Sequence, residues 1–188
     1  MREPVSVSRF HRLLHPYNTF LVTCCDEDGQ PNIITIAWLI PLSIKPPLLG
    51  MAVRQTRYSY GLIRATGEFV VNVAPYEIAQ AALFCGRRSG RDVDKFAATG
   101  LTADKAQRVH PPVIQECVAH LECRLVDEVK TGDHQLLVAE VLATYTRPGV
   151  LSDSGLYNLQ RVHPLLHLGG NRFTSPQQHS VEPSLPEG

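Results

Sequence analysis

Along most of the chain, apolar and β-branched residues fall in short runs separated by turn-forming residues, and only a few short segments show helical spacing. Residues 19–25 and 32–38 flank the turn signal Asp26-Glu27-Asp28-Gly29, which predicts a β-hairpin. Residues 38–47 read as a loop closed by Pro46-Pro47, followed by an apolar strand over 48–53. Apolar or aromatic residues then recur at 58, 62 and 65 with Gly67 just beyond, the pattern of a short helix over 57–65. Residues 68–73 predict another strand, and 76–85 a helix rich in good helix formers. A basic, glycine-containing loop over 86–94 follows, and Lys95-Phe96 opens a second short helix. Two long strand patterns, 116–129 and 134–146, are joined by Lys130-Thr131-Gly132-Asp133 and predict a long hairpin. A last apolar piece, 164–168, stops at Gly169-Gly170.

About six or seven antiparallel-type strands with short helices between them, no regular βαβ alternation and no repeat predict a mainly β architecture. The expected fold is an antiparallel β-barrel with helical insertions, not a doubly wound sheet. Residues 1–174 are expected to form this one domain. Residues 175–188 are polar and proline-rich without periodicity, which predicts a disordered tail.

The composition narrows the function classes. The 188 residues are 44% hydrophobic and carry 18 basic against 18 acidic side chains. That balance gives no general attraction to nucleic acid. No apolar stretch is long enough to span a membrane, and the N-terminal residues lack the apolar core of a secretory signal, so a cytoplasmic protein is expected. The five cysteines (24, 25, 85, 117 and 123) form no CxxC pair. The adjacent Cys24 and Cys25 point to opposite faces of a strand, so buried free thiols are expected.

The candidate chemistry lies at strand ends and junctions. Arg54, Thr56, Arg57 and Ser59 gather where a strand runs into the predicted exposed first turn of a helix. Orphan amides and the positive dipole end make such a turn an anion site, and two guanidiniums there point to a phosphate-bearing ligand. Asn32, Thr35, Ala37 and Trp38 lie on or at the end of the second strand, Ser89 and Lys95 in or beside the basic loop, and His134 at the hairpin turn. Neither GxGxxG, GxxxxGK[ST] nor GxSxG occurs. Two HxxxH spacings, His11/His15 and His163/His167, lack an HExxH context and read as capping or surface histidines, with no metal expected.

Taken in order, NIITIAW, PLSIKPP, RYSYGLIRATGEFVVNV, SGRDVDKF and GDHQLLVAEV resemble the flavin reductase-like family of FMN-binding split barrels, which includes flavoredoxins and ferric reductases. The resemblance covers roughly residues 15–173. It implies a split β-barrel, a homodimer, and non-covalent FMN, with FAD as the alternative. It implies that Asn32, Thr35, Ala37 and Trp38 line the flavin ring and ribityl chain. Arg57 and Ser59 would hold the phosphate, helped by Arg54 and Thr56, with Ser89 and Lys95 completing that side. His134 would stand by the ring where NAD(P)H approaches. The implied activity is NAD(P)H-dependent flavin reduction, with a partner monooxygenase or other redox protein. A flavoredoxin-like electron carrier or a ferric reductase is the alternative within the family. A pyridoxamine-phosphate-type oxidase, also a split barrel, fits the GDH turn and the RYSYGLI segment less well.

Overall fold

The structure is a computed structural model that describes residues 3–183. After a 3-10 helix, Val7–Leu14, come β1 (Tyr17–Asn18), β2 (Phe20–Cys25), β3 (Pro31–Ile36), β4 (Leu39–Ser43) and β5 (Leu48–Val53). Helix α1 (Tyr58–Thr66) leads into β6 (Glu68–Val73), and α2 (Ala79–Arg87) and α3 (Lys95–Thr99) follow. The short pair β7 (Ala103–Asp104) and β8 (Val113–Ile114) precedes the long hairpin β9 (Ala119–Thr131) and β10 (His134–Thr146). Strands β11 (Leu166–Gly169) and β12 (Arg172–Thr174) close the order.

Seven strands form one antiparallel sheet in the order β3-β2-β6-β9-β10-β5-β4. Strands β3 and β4 are neighbours in sequence, separated only by Ala37 and Trp38, yet they occupy the two opposite edges. So short a link forces the sheet to curl until its edges face each other, with no ladder joining them. The result is a barrel split along one seam. Register shifts in the β9–β10 pair at Val138/Ala139 and Val141/Ala143 supply local bends of the kind that let long strands curl.

Alternation along β2 and β3 builds two cores. Val22, Cys24, Ile34 and Ile36 point into the barrel with Met51, Phe69 and Leu137. Leu21 and Ile33 face outward against α2, packing with Ala82 and Cys85. Both faces of this edge hairpin are therefore buried, which fixes its register. Cys24 and Cys25 do lie on opposite faces of β2, and all five cysteines are buried and unbonded.

The region 38–47 departs from the expected loop. Residues 39–43 pair with β5 as β4, Ile40 opposite Gly50 and Pro41 opposite Leu49. Proline is compatible with an edge strand, where its missing N–H faces no partner, and the pairing becomes irregular just after Pro41. Helix α1 begins one residue later than expected, with Arg57 as its N-cap, and ends at Gly67 (φ 72°), whose N–H bonds to the Ile63 carbonyl. Residues 175–183 contain no helix or strand, and the rest of the expected tail, 184–188, lies outside the described residues. Among the described residues no helix is long and apolar enough to cross a membrane.

Candidate functional site

The seam opens into a cleft of about 930 Å³. Thr35, Ala37 and Trp38 line it from the β3 side. Its other walls are the start of α1, the end of α2 with the loop after it, the β9–β10 turn, the N-terminal 3-10 helix and the β11–β12 turn. Side-chain ties hold α2 against β3. Thr35 Oγ1 donates to the Ala82 carbonyl at 2.6 Å, and Gly86 allows close approach because a Cβ there would stand 3.2 Å from the Thr35 Cβ. Lys95 Nζ donates to the Ile33 carbonyl at 2.6 Å and the Cys85 carbonyl at 2.8 Å, bridging the same two elements.

The charge balance of the cleft differs sharply from that of the whole chain. Among the described residues, Arg12, Arg54, Arg57, Arg87, Arg88, Arg91 and Lys95 line it, against two carboxylates, Asp92 and Asp133. Arg57 and Arg88 have no ion-pair partner among the described residues. Arg91 lies over the Tyr58 ring, 5.0 Å from its centroid, and the Arg91 N–H donates to Ser89 Oγ at 3.2 Å, which shapes the loop. Thr56 is exposed beside Arg57 at the mouth. The first turn of α1 has no side-chain cap, so its amides add to the positive field.

Four sequence-predicted residues take positions other than expected. Asn32 is buried behind the cleft rather than in its wall; its Nδ2 donates to Ser59 Oγ at 2.8 Å. The reason is Gly90, which packs directly on the Asn32 amide. Ser59 reaches the cleft but is 2% exposed, with its hydroxyl already accepting from Asn32, so it is not on an exposed turn. Lys95 is likewise buried, with its ammonium held by two carbonyls, and burial lowers its pKa. Arg54 is already ion-paired, with Asp133 at 2.9 Å. Thr35, Ala37, Trp38, Thr56, Arg57, Ser89 and His134 all line the cleft. Cys24, behind Asn32 and Ser59, is no thiolate, since burial pushes it up to about 12.

Also in the cleft wall, Trp38 and His134 meet ring to ring with centroids 4.9 Å apart. His134 Nδ1 lies 2.7 Å from Asp133 Oδ1 and donates to it. That bond, and then the charges of His134 and Arg54, hold the Asp133 carboxyl below its ordinary value. Nε2 of His134 remains available to a ligand. Arg12, His11, His15, His167 and Arg87 also line the cleft, none of them a sequence-predicted site residue. The paired HxxxH spacings were the available signal: one histidine from each pair, His15 and His167, come together with centroids 5.4 Å apart.

A curled antiparallel sheet split along one seam, with a cation-lined cleft beside it, defines a split-barrel protein. The chain belongs to the flavin reductase like domain family, whose model matches residues 10–174. An uncharacterized protein of Archaeoglobus fulgidus is 43% identical over 170 residues, covering 90% of this chain and 94% of that one. The reductase component of the 4-nitrophenol 4-monooxygenase/4-nitrocatechol 2-monooxygenase of Rhodococcus opacus is 26% identical over 148 residues, covering 78% and 76%. Among solved structures, the flavoredoxin of Desulfovibrio vulgaris (Miyazaki F) superposes with a TM-score of 0.86 at 24% identity, covering 97% of each chain.

Proposed function

We propose that the cleft binds a flavin non-covalently, FMN in the first instance, and that the protein is an NAD(P)H-dependent flavin reductase. The observation that carries this reading is one continuous cleft with unpaired cations beside α1 and an aromatic pair, Trp38 and His134, elsewhere in its wall. Its volume of about 930 Å³ suits a cofactor-sized ligand. Ordinary side chains supply no hydride chemistry; a flavin held here would supply it.

The residues present fit that group. Arg57, with Arg88 and the open amides of α1, offers the charge-assisted donors that a phosphate monoester requires. Ser89 and Thr56 stand beside them. Thr35, Ala37 and Trp38 offer a wall for the ring and ribityl chain. Asn32, Ser59 and Lys95 act from behind, holding the loop and β3 in place. His134, oriented by Asp133 and Arg54, positions the donor's nicotinamide ring and keeps an N–H or lone pair at Nε2 for its carboxamide.

The Rhodococcus opacus relative supports a partner monooxygenase that consumes the reduced flavin. Exposed Ile40, Leu42 and Ile44 in and after the edge strand β4, with Phe10, Leu13 and Leu14 on the N-terminal helix, support a homodimer that covers them. Five buried, unbonded thiols suit a reducing compartment such as the cytoplasm.

The test is an absorbance spectrum of the purified protein followed by anaerobic titration with NADH and NADPH. A flavin band bleached by either nucleotide is the expected result. A retained flavin that neither nucleotide reduces would make the protein an electron carrier instead, and a protein that neither retains nor binds added FMN would overturn the reading.

A further inference from the structure

Arg12, His15 and His167 converge at the part of the cleft bounded by the β11–β12 turn. The Arg12 guanidinium and the His15 ring lie over Gly169, where a Cβ would come within 2.3 Å of Arg12 Nη1 and 3.6 Å of His15 Nε2. Gly169 also has φ 105°, so the turn is bare where these two side chains need room. Arg87 holds that turn in place through the Gly170 carbonyl at 2.9 Å and Asn171 Oδ1 at 2.6 Å.

Each imidazole is anchored by one nitrogen. His15 Nδ1 faces the Arg12 carbonyl at 3.2 Å, and His167 Nε2 faces the Gly170 carbonyl at 3.2 Å. A carbonyl only accepts, so these nitrogens carry the hydrogens. His15 Nε2 and His167 Nδ1 are left without a hydrogen-bond partner among the described residues. Among the described residues no carboxylate enters this group: of the two in the cleft, Asp92 belongs to the loop after α2, and Asp133 is paired with Arg54 and His134. After burial, the like charges of His15, Arg12 and Arg87 are what push the His167 pKa down. Cationic groups that face one another with no counter-charge among the described residues are relieved by an anion from outside.

The location says which anion. His11 packs edge-on against Trp38 at 6.0 Å, and Trp38 lies on His134. Through His11 the cluster adjoins Trp38, assigned to the flavin ring, and beyond it His134, assigned to the donor's nicotinamide. We infer that Arg12, His15 and His167 form a second anion subsite that takes the diphosphate of a pyridine dinucleotide, an inference that rests on the flavin reading above.

The experiment uses FMN-loaded protein and NAD+, which binds without reacting, measured by isothermal titration calorimetry for wild type, Arg12→Gln and His167→Gln. Arg12 is exposed and its side chain has no hydrogen bond among the described residues, so Arg12→Gln leaves the fold undisturbed. Both variants are expected to weaken NAD+ roughly tenfold while FMN affinity stays within about twofold. The kcat/KM preference for NADH over 1-benzyl-1,4-dihydronicotinamide, a donor without phosphate, should fall by about the same factor. Unchanged NAD+ affinity in Arg12→Gln would overturn the subsite. So would weakened FAD binding with NAD+ unaffected, because the anion would then be the second phosphate of FAD. Failure of the wild type to bind FMN appears before any NAD+ is added, and it overturns the flavin reading itself.

Discussion

His134 donates from Nδ1 to Asp133 at 2.7 Å while its ring lies on Trp38, so one bond and one stacking contact fix both its tautomer and its plane. A ring held this way presents Nε2 to the cleft in one orientation. Replacing His134 with Ala should lower kcat/KM for NADH or NADPH by roughly tenfold or more, since positioning of the donor is what is lost. FMN affinity, read by quenching of flavin fluorescence, should move by no more than about twofold. An FMN loss as large as the kinetic one would sink the division of roles.

Arg57→Ala should show the reverse. With no ion-pair partner among the described residues, Arg57 leaves no carboxylate stranded when it is removed. FMN binding should weaken by roughly 10–100-fold, about 1.5–3 kcal/mol, as expected for loss of a charge-assisted contact to phosphate. Riboflavin lacks that phosphate, so its affinity should be indifferent to the substitution. Equal FMN affinity in wild type and Arg57→Ala would contradict the phosphate assignment.

Gly90 carries the loop that follows α2 across the Asn32 amide. A Cβ at this position would stand 2.1 Å from Asn32 Oδ1 and 2.7 Å from its Cγ, and Asn32 is buried with its Nδ2 bonded to Ser59. Gly90→Ala must therefore displace either the loop or Asn32, at about 1–3 kcal/mol. A lower urea midpoint together with weaker FMN binding is the expected pair of results. Gly61→Ala, where a Cβ meets nothing within 4 Å, is the matched control.

His120 predicts how stability depends on pH. It is buried against Tyr145, its Nδ1 lies 2.8 Å from Asn72 Oδ1, and burial holds its pKa down at about 4. The unfolded chain takes up this proton near the ordinary value of 6.5, but the folded one does not until about 4. Stability is therefore nearly complete above about pH 6.5 and falls as pH drops from there toward 4, by about 3 kcal/mol. Urea midpoints measured from pH 7.5 to 4.5 should show this slope flattened in His120→Gln. An identical slope in that variant would place the titration elsewhere.

The strands most legible in the sequence were those whose β-branched runs end in strong turns. The hairpin around Asp26-Glu27-Asp28-Gly29 and β10 from His134 to Thr146 lie where the local pattern puts them. Strand β4 was hidden because Pro41 and Pro46-Pro47 look like loop chemistry, and only its place at a sheet edge makes the first of them tolerable. The cationic character of the site could be read, but not the orientation of each cation. Val53 pairs with Gln135, so the β5–β10 register carries Arg54 to Asp133, a partner remote in sequence. Lys95 looks like an exposed loop amine until α3 packs it beneath α2. The histidine spacings were visible, but the meeting of His15 with His167 depends on β1 pairing with β11, which no local pattern encodes.

Because no backbone ladder joins β3 to β4, the barrel is mechanically an open clasp, and a ligand in the cleft beside that seam ties β3 to the end of β5 and the β9–β10 turn. A ligand touching Thr35 on one side and Arg54 or His134 on the other replaces missing inter-strand bonds with its own contacts. Occupancy then becomes part of the fold's stiffness, and the free energy of binding appears as resistance to opening along that line. Amide exchange at Thr35, Ile36, Ala37 and Trp38 should slow on loading far more than exchange in the β6–β9 pair on the opposite side of the barrel.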